Sequence, residues 1–85
     1  MKAEHAEWIG RHARVLAAIN PSLIGLGGVV VDESKHFITL ETAKGVRRVP
    51  KHGTTFSITL NGSEQPIKGD DVLVAPEERI KLKVK

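Results

Sequence analysis

Cysteine is absent from this 85-residue chain, so no disulfide or thiolate site can staple the fold. Aromatic residues are scarce: Trp8, Phe37 and Phe56, with no tyrosine. That scarcity argues against an aromatic base-stacking platform of the RNA-recognition-motif type. No apolar run approaches the ~20 residues of a membrane span. The start, Met1 to Glu7, is polar and lacks the apolar stretch of a secretion signal. These absences predict a soluble, cytoplasmic protein with no membrane partner. The four histidines, His5, His12, His36 and His52, lack a clustered spacing and have no paired acids nearby, so no metal site is expected within the chain.

What is present is a modest apolar fraction, 40%, and a net charge of +3. The cations are segregated. Lys44, Arg47, Arg48 and Lys51 lie in a stretch without acids, as do Arg79, Lys81, Lys83 and Lys85 at the end of the chain. Between them, Glu64, Asp70, Asp71, Glu77 and Glu78 face a single Lys68. Two basic blocks that converge in space would form a polyanion-binding face. Blocks that stay apart would be only a solvated surface and a basic tail.

The chain reads as one small all-β domain over residues 11–85, preceded by an N-terminal segment, 1–10, that is helical or flexible. Trp8 and Ile9 either cover one end of the domain or anchor a partner. The stretch from Ala13 to Ile19 is read as a strand, since the elements after it are all β. Asn20-Pro21-Ser22 makes a turn. Gly25, Gly27 and Gly28 allow a bend or bulge. Val29-Val30-Val31 then reads as a strand buried on both faces, followed by a polar turn at Asp32-Glu33-Ser34-Lys35.

Strands at 36–41 and 46–49 are joined by Ala43-Lys44-Gly45, the second being stopped by Pro50. Thr54 to Leu60 alternates with Phe56, Ile58 and Leu60 inward. Asn61-Gly62 signals a tight hairpin. Short strands at 65–68 and 71–74 follow, and the alternating 80–85 stretch is expected to close the barrel. Short strands with turns every eight to twelve residues point to a small antiparallel barrel of about six strands, Sm-like or SH3-like.

No constellation for chemistry emerges. Asp32-Glu33, Asp70-Asp71 and Glu77-Glu78 are adjacent pairs, and neighbours on a strand face opposite ways. Gly25-Leu26-Gly27-Gly28 is not followed by the Lys-Ser/Thr of a phosphate loop. No catalytic residue is therefore assigned. RNA contact, if made, is expected to be phosphate and shape recognition by Lys and Arg.

Several segments, in order, resemble archaeal ribonuclease P protein component one, the Pop-four type of subunit. They are Ile9-Gly10, Asn20-Pro21-Ser22-Leu23-Ile24-Gly25, Gly28-Val29-Val30-Val31-Asp32-Glu33, Val49-Pro50-Lys51, Phe56 and Pro76-Glu77-Glu78-Arg79-Ile80. Ala75 departs from the pattern, where arginine is frequent, and Glu78 stands where Asp is commoner. The resemblance implies an Sm-like barrel and a non-catalytic RNA-binding role in the ribonucleoprotein that removes 5′ leaders from precursor tRNA. It implies as partners the ribonuclease P RNA, a zinc-ribbon protein subunit and further ribonuclease P proteins, with precursor tRNA met indirectly. Mg²⁺ would serve the catalytic RNA, with no cofactor on this chain.

By that resemblance Lys51 and Arg79 are expected to touch RNA. Arg48, Arg47, Lys44 and Lys81 join them on charge clustering alone. Trp8, Ile9 and Val30 are expected on the partner side. Two other readings fit the residues: an SH3-like ribosomal RNA-binding protein, and a protein-interaction barrel with an acidic partner.

Overall fold

A computed structural model describes residues 7–81, the last three as backbone. Six strands run in chain order: β1 (His12–Ala17), β2 (Gly27–Glu33), β3 (Phe37–Thr42), β4 (Gly45–Pro50), β5 (Thr55–Leu60) and β6 (Ser63–Lys68). Short 3-10 turns occupy Pro21–Leu23 and Gly69–Val72, and one helix, α1, spans Pro76–Lys81. All strands join one antiparallel sheet in the order β4-β3-β2-β1-β5-β6. The expected six-stranded antiparallel architecture is present.

The sheet is curled. Val49 from one edge strand and Ile67 from the other belong to the same buried cluster, with Val15, Val30, Ile38, Leu40, Phe56 and Ile58 between them. The edges β4 and β6 are not hydrogen-bonded neighbours in the sheet. The segment after β4 instead meets the turn after β6. The Gly69 N–H donates to the Thr54 carbonyl at 2.7 Å. A Cβ on Gly69 would overlap the Lys51 carbonyl, so only glycine lets these two backbones touch.

Two irregularities produce the curl. The β2–β3 register shifts between Val30 and Asp32, and the β1–β5 register between Val15 and Ala17. Each bulge adds a residue to one strand, bends it and increases its twist. The bulge at Val31 also changes the phase of β2. Gly28 and Val30 face inward, then Glu33 does, while Val31 and Asp32 face solvent. The expectation that Val29-Val30-Val31 is buried on both faces is thus corrected. Only Val30 is buried, with Val29 and Val31 38% and 43% exposed. An antiparallel sheet needs only one covered face. The predicted turn at 32–35 is likewise shifted, because β2 continues through Glu33.

The β5–β6 hairpin turns on Asn61 and Gly62, both at positive φ (52° and 80°). This is the two-residue turn whose twist matches its flanking strands. At the start of the described chain, a turn closed by Arg11 N–H to the Trp8 carbonyl (2.9 Å) carries Gly10 at φ 89°. It seats the Trp8 ring edge-on to Phe56, with centroids 5.3 Å apart. Trp8 therefore covers one end of the core.

Two late elements differ from expectation. The expected strand at 71–74 is absent: Asp71 and Val72 end a 3-10 turn that spans Gly69–Val72, and no strand follows it among the described residues. Ile80 and Lys81 end helix α1 rather than opening a strand. Pro76 at the helix start and Glu77-Glu78 in its first turn favour helix there, over a β-like alternation that begins four residues after the proline. Residues 82–85 of the expected closing strand, and 1–6 of the expected N-terminal segment, lie outside the described residues.

Candidate nucleic-acid interface

The basic residues of the 44–51 block separate into two groups. Lys51 is buried. Its ammonium lies 3.0 Å from Glu33 Oε2, and the two side chains are 0% and 1% exposed. The same ammonium donates to the carbonyls of Val72 and Val74, each at 3.0 Å. It also lies 5.4 Å from the centroid of the Trp8 ring. The assignment of Lys51 as an RNA contact is therefore corrected: a side chain without exposed surface does not reach a phosphate. Its work is structural. It ties the end of β2, the segment after β4 and the chain beyond Gly69 to one point, closing the barrel where no ladder does.

The others stay at the surface on a single hairpin. Lys44 sits in the β3–β4 turn, which Thr42 braces by donating its hydroxyl to the Gly45 carbonyl at 2.7 Å. Arg47 and Arg48 follow on β4, opposite Leu40 and Thr39. Successive strand residues point to opposite sides, so these two arginines straddle the edge of the sheet. Arg48 lies over the Phe37 ring, 4.1 Å from its centroid. Arg47 donates to the neighbouring Val46 carbonyl at 3.2 Å. Among the described residues none of these three cations forms an ion pair. Arg79 and Lys81 are placed by their backbone on α1, and their side chains lie outside the described residues.

Arg14 is a surface cation of another kind. It meets both oxygens of Glu64, at 2.8 and 2.9 Å. The hydrogen bond from Arg14, and a second from Ser57, hold the Glu64 carboxyl below its ordinary value of 4.5. Arg14 is thus neutralised, which leaves Lys44, Arg47 and Arg48 as a concentrated positive feature among the described residues.

The residues assigned to a protein partner are split as well. Trp8 and Val30 are buried in the chain's own core, which corrects their placement on a docking face. A strand residue in phase with Gly28 must face inward, and Val30 does. Ile9 is 46% exposed, and the Gly10 N–H that follows it donates to the carbonyl of Val30 at 2.7 Å, between the outward-facing Val29 and Val31. Among the described residues no group of three or more His, Asp or Glu could hold a metal ion. His52 and Asp70 form an exposed pair at 2.8 Å.

Sequence reasoning missed Phe37 and Glu33 as working partners of Arg48 and Lys51. The cross-strand diagonal between Phe37 and Arg48 follows from the hairpin register, which the Ala43-Lys44 turn sets. No local signal marks the Glu33–Lys51 pair.

The family described as Ribonuclease P/MRP, subunit p29 matches residues 2–82 of this chain. Ribonuclease P protein component 1 of Archaeoglobus fulgidus is 40% identical over 75 residues, covering 88% of this chain and 74% of that protein. The Haloarcula marismortui protein of the same name is 38% identical over 73 residues, covering 86% and 78%. A solved structure described as Mth11, a homologue of the human RNase P protein Rpp29, superposes with a TM-score of 0.64 at 32% identity. It covers 88% of this chain and 99% of that one. With the family spanning nearly the whole sequence and the solved homologue sharing its fold, the chain belongs to the p29 family, the protein component 1 subunits of ribonuclease P.

Proposed function

We propose that this chain works as a non-catalytic subunit of ribonuclease P and binds the RNA of that enzyme through its β3–β4 hairpin. The observation that carries the site is the grouping of Lys44, Arg47 and Arg48 on one braced hairpin without ion-pair partners among the described residues. Each of these cations can displace a condensed counterion from an RNA phosphate, which makes binding strong at low salt and insensitive to sequence. The β2–β3 ladder and the bracing of its turn by Thr42 position the hairpin, so the contact helps fix a folded RNA in shape.

In this reading the RNA performs the cleavage that removes 5′ leaders from precursor tRNA. Mg²⁺ serves the RNA, and this chain supplies no ligand to it. The barrel belongs to the Sm-like class and the chain to the Pop-four type of subunit. A zinc-ribbon protein subunit is the proposed protein partner. Among the exposed apolar side chains of the described residues, Ile9, Val29 and Val31 are the ones proposed for it, near the turn that seats Trp8. The proposed compartment is the cytoplasm, where archaeal precursor tRNA is made.

Reconstitution tests the role: precursor tRNA cleavage by the cognate RNA and the other protein subunits, with and without this chain. The expected result on omission is lower activity or a raised Mg²⁺ requirement. Equal cleavage at every Mg²⁺ concentration would remove the subunit role.

A further inference from the structure

Phe37 and Arg48 are diagonal neighbours across β3 and β4, with Phe37 opposite Pro50 and Arg48 opposite Thr39. The guanidinium carbon stands 4.1 Å from the centre of the phenyl ring, a stacking distance for two flat groups. The ring thereby covers one side of the guanidinium and restrains it. The other face is turned away from the ring, at an exposed position. Among the three cations of the hairpin this arrangement is particular to Arg48. Arg47 is turned toward its own backbone, and a lysine ammonium has no plane.

The surroundings favour a base over a phosphate at this point. The outward row that carries Arg48 runs through Thr39 to Asp32, two strands away and exposed. A carboxylate on the same row weakens the site for an anion and leaves it suited to a neutral, flat ligand. Lys44 in the turn of the same hairpin, and Arg47 on the opposite side of β4, supply positive charge along the edge for the adjoining phosphates. Unpaired bases stack on guanidinium planes as well as on aromatic rings.

We propose, on the basis of the RNA-binding role above, that the Arg48–Phe37 stack is a docking plane for one unpaired RNA base. The hairpin then distinguishes single-stranded or bulged RNA from continuous duplex, a discrimination that phosphate contacts alone do not supply.

The test uses the full chain with two RNA probes: a short oligouridine carrying one 2-aminopurine, and a duplex of equal length. The expected result is quenching of 2-aminopurine fluorescence on the single strand. Arg48→Lys keeps the charge and removes the plane. It should abolish the quenching and weaken single-strand binding roughly ten-fold, while duplex binding stays within about two-fold. Phe37→Leu, which frees the guanidinium, should shift binding in the same direction, with thermal melts confirming that it folds. If Arg48→Lys retains both quenching and affinity, the stacking site is overturned. The unmodified chain binding the duplex or ribonuclease P RNA without ever quenching overturns it too, and leaves the RNA-binding role standing. Absence of salt-dependent binding to any of these RNAs would overturn both.

Discussion

Lys51 and Glu33 meet at 3.0 Å inside the barrel because β2 carries one extra residue. Counted by strict alternation from Gly28 and Val30, the next inward residue would be Asp32. The bulge at Val31 moves that place to Glu33, whose side chain is one methylene longer. Glu33 Oε2 then joins the carbonyls of Val72 and Val74 around a single ammonium. Removing one partner of a buried ion pair leaves the other charge without compensation. Lys51→Met should therefore cost about 3–5 kcal/mol. Glu33→Gln, which keeps an acceptor oxygen, should cost about 1–3 kcal/mol. Urea denaturation of the two single variants and the double variant gives the coupling, and the double should cost less than the sum. Additive losses would show that the pair does not act as a unit.

Closure of the barrel depends equally on an absent side chain. At Gly69 a Cβ would overlap the Lys51 carbonyl, so Gly69→Ala must push the turn after β6 away from the segment after β4. Overpacking of this kind costs about 1–3 kcal/mol, or more where backbone must move. Because that movement loosens the cage around the Lys51 ammonium, amide exchange should speed up at Gly69 and Thr54 before it does in β1 or β2. Uniform acceleration across the sheet would instead mean that the closure and the sheet unfold as one unit.

The β architecture was legible where residue chemistry is local. Asn61-Gly62 announced its hairpin because both positions need positive φ, and Phe56, Ile58 and Leu60 alternate without interruption. The bulge at Val31 was not legible, since three consecutive valines carry no phase of their own. Lys51 was misread for a related reason. A lysine within a run of cations looks solvated, and its partner Glu33 lies 18 residues earlier in the chain. At the other end, the alternation from Ile80 onward resembled a strand, but Pro76 and two glutamates start a helix that runs through Lys81. Of the proposed site, charge clustering picks out Lys44, Arg47 and Arg48, which the fold leaves at the surface. It carried no information about Phe37, whose approach to Arg48 is a cross-strand relation.

The Arg14–Glu64 pair sets an expected pH response. Arg14, and after it Ser57, hydrogen-bonds the carboxylate of Glu64 and lowers its folded-state value below 4.5. A lowered carboxylate stabilises the fold at pH values above its unfolded value. That contribution is lost as the pH falls through the folded value. Stability measured by denaturant at pH 7 and again below pH 4 should therefore fall less in Glu64→Gln than in the unmodified chain. Because the pair is exposed and screened, the difference should also shrink at high salt. Identical acid sensitivity in both proteins would assign the acid response to other carboxylates.

The salt dependence of RNA binding separates the surface cations from the buried one. Each cation that neutralises a phosphate contributes about 0.7–0.9 to the slope of log affinity against log salt. Changing Lys44, Arg47 and Arg48 together to Gln should lower that slope for the ribonuclease P RNA by about 2–3 where all three neutralise phosphates, and by about 1–2 where Arg48 holds a base instead. Arg14 with Glu64 is the internal control. The double variant Arg14→Gln/Glu64→Gln leaves the net charge unchanged and removes a pair already satisfied within the protein, so its slope should match the original. Lys51→Met also removes one positive charge, but from a side chain without exposed surface. Measured where that variant remains folded, its slope should stay close to the original. A slope lowered by Lys51→Met as much as by a hairpin cation would mean that long-range net charge governs binding. In that case the hairpin would lose its claim as the interface. A slope lowered only by the hairpin variants would make local phosphate contact the source of affinity.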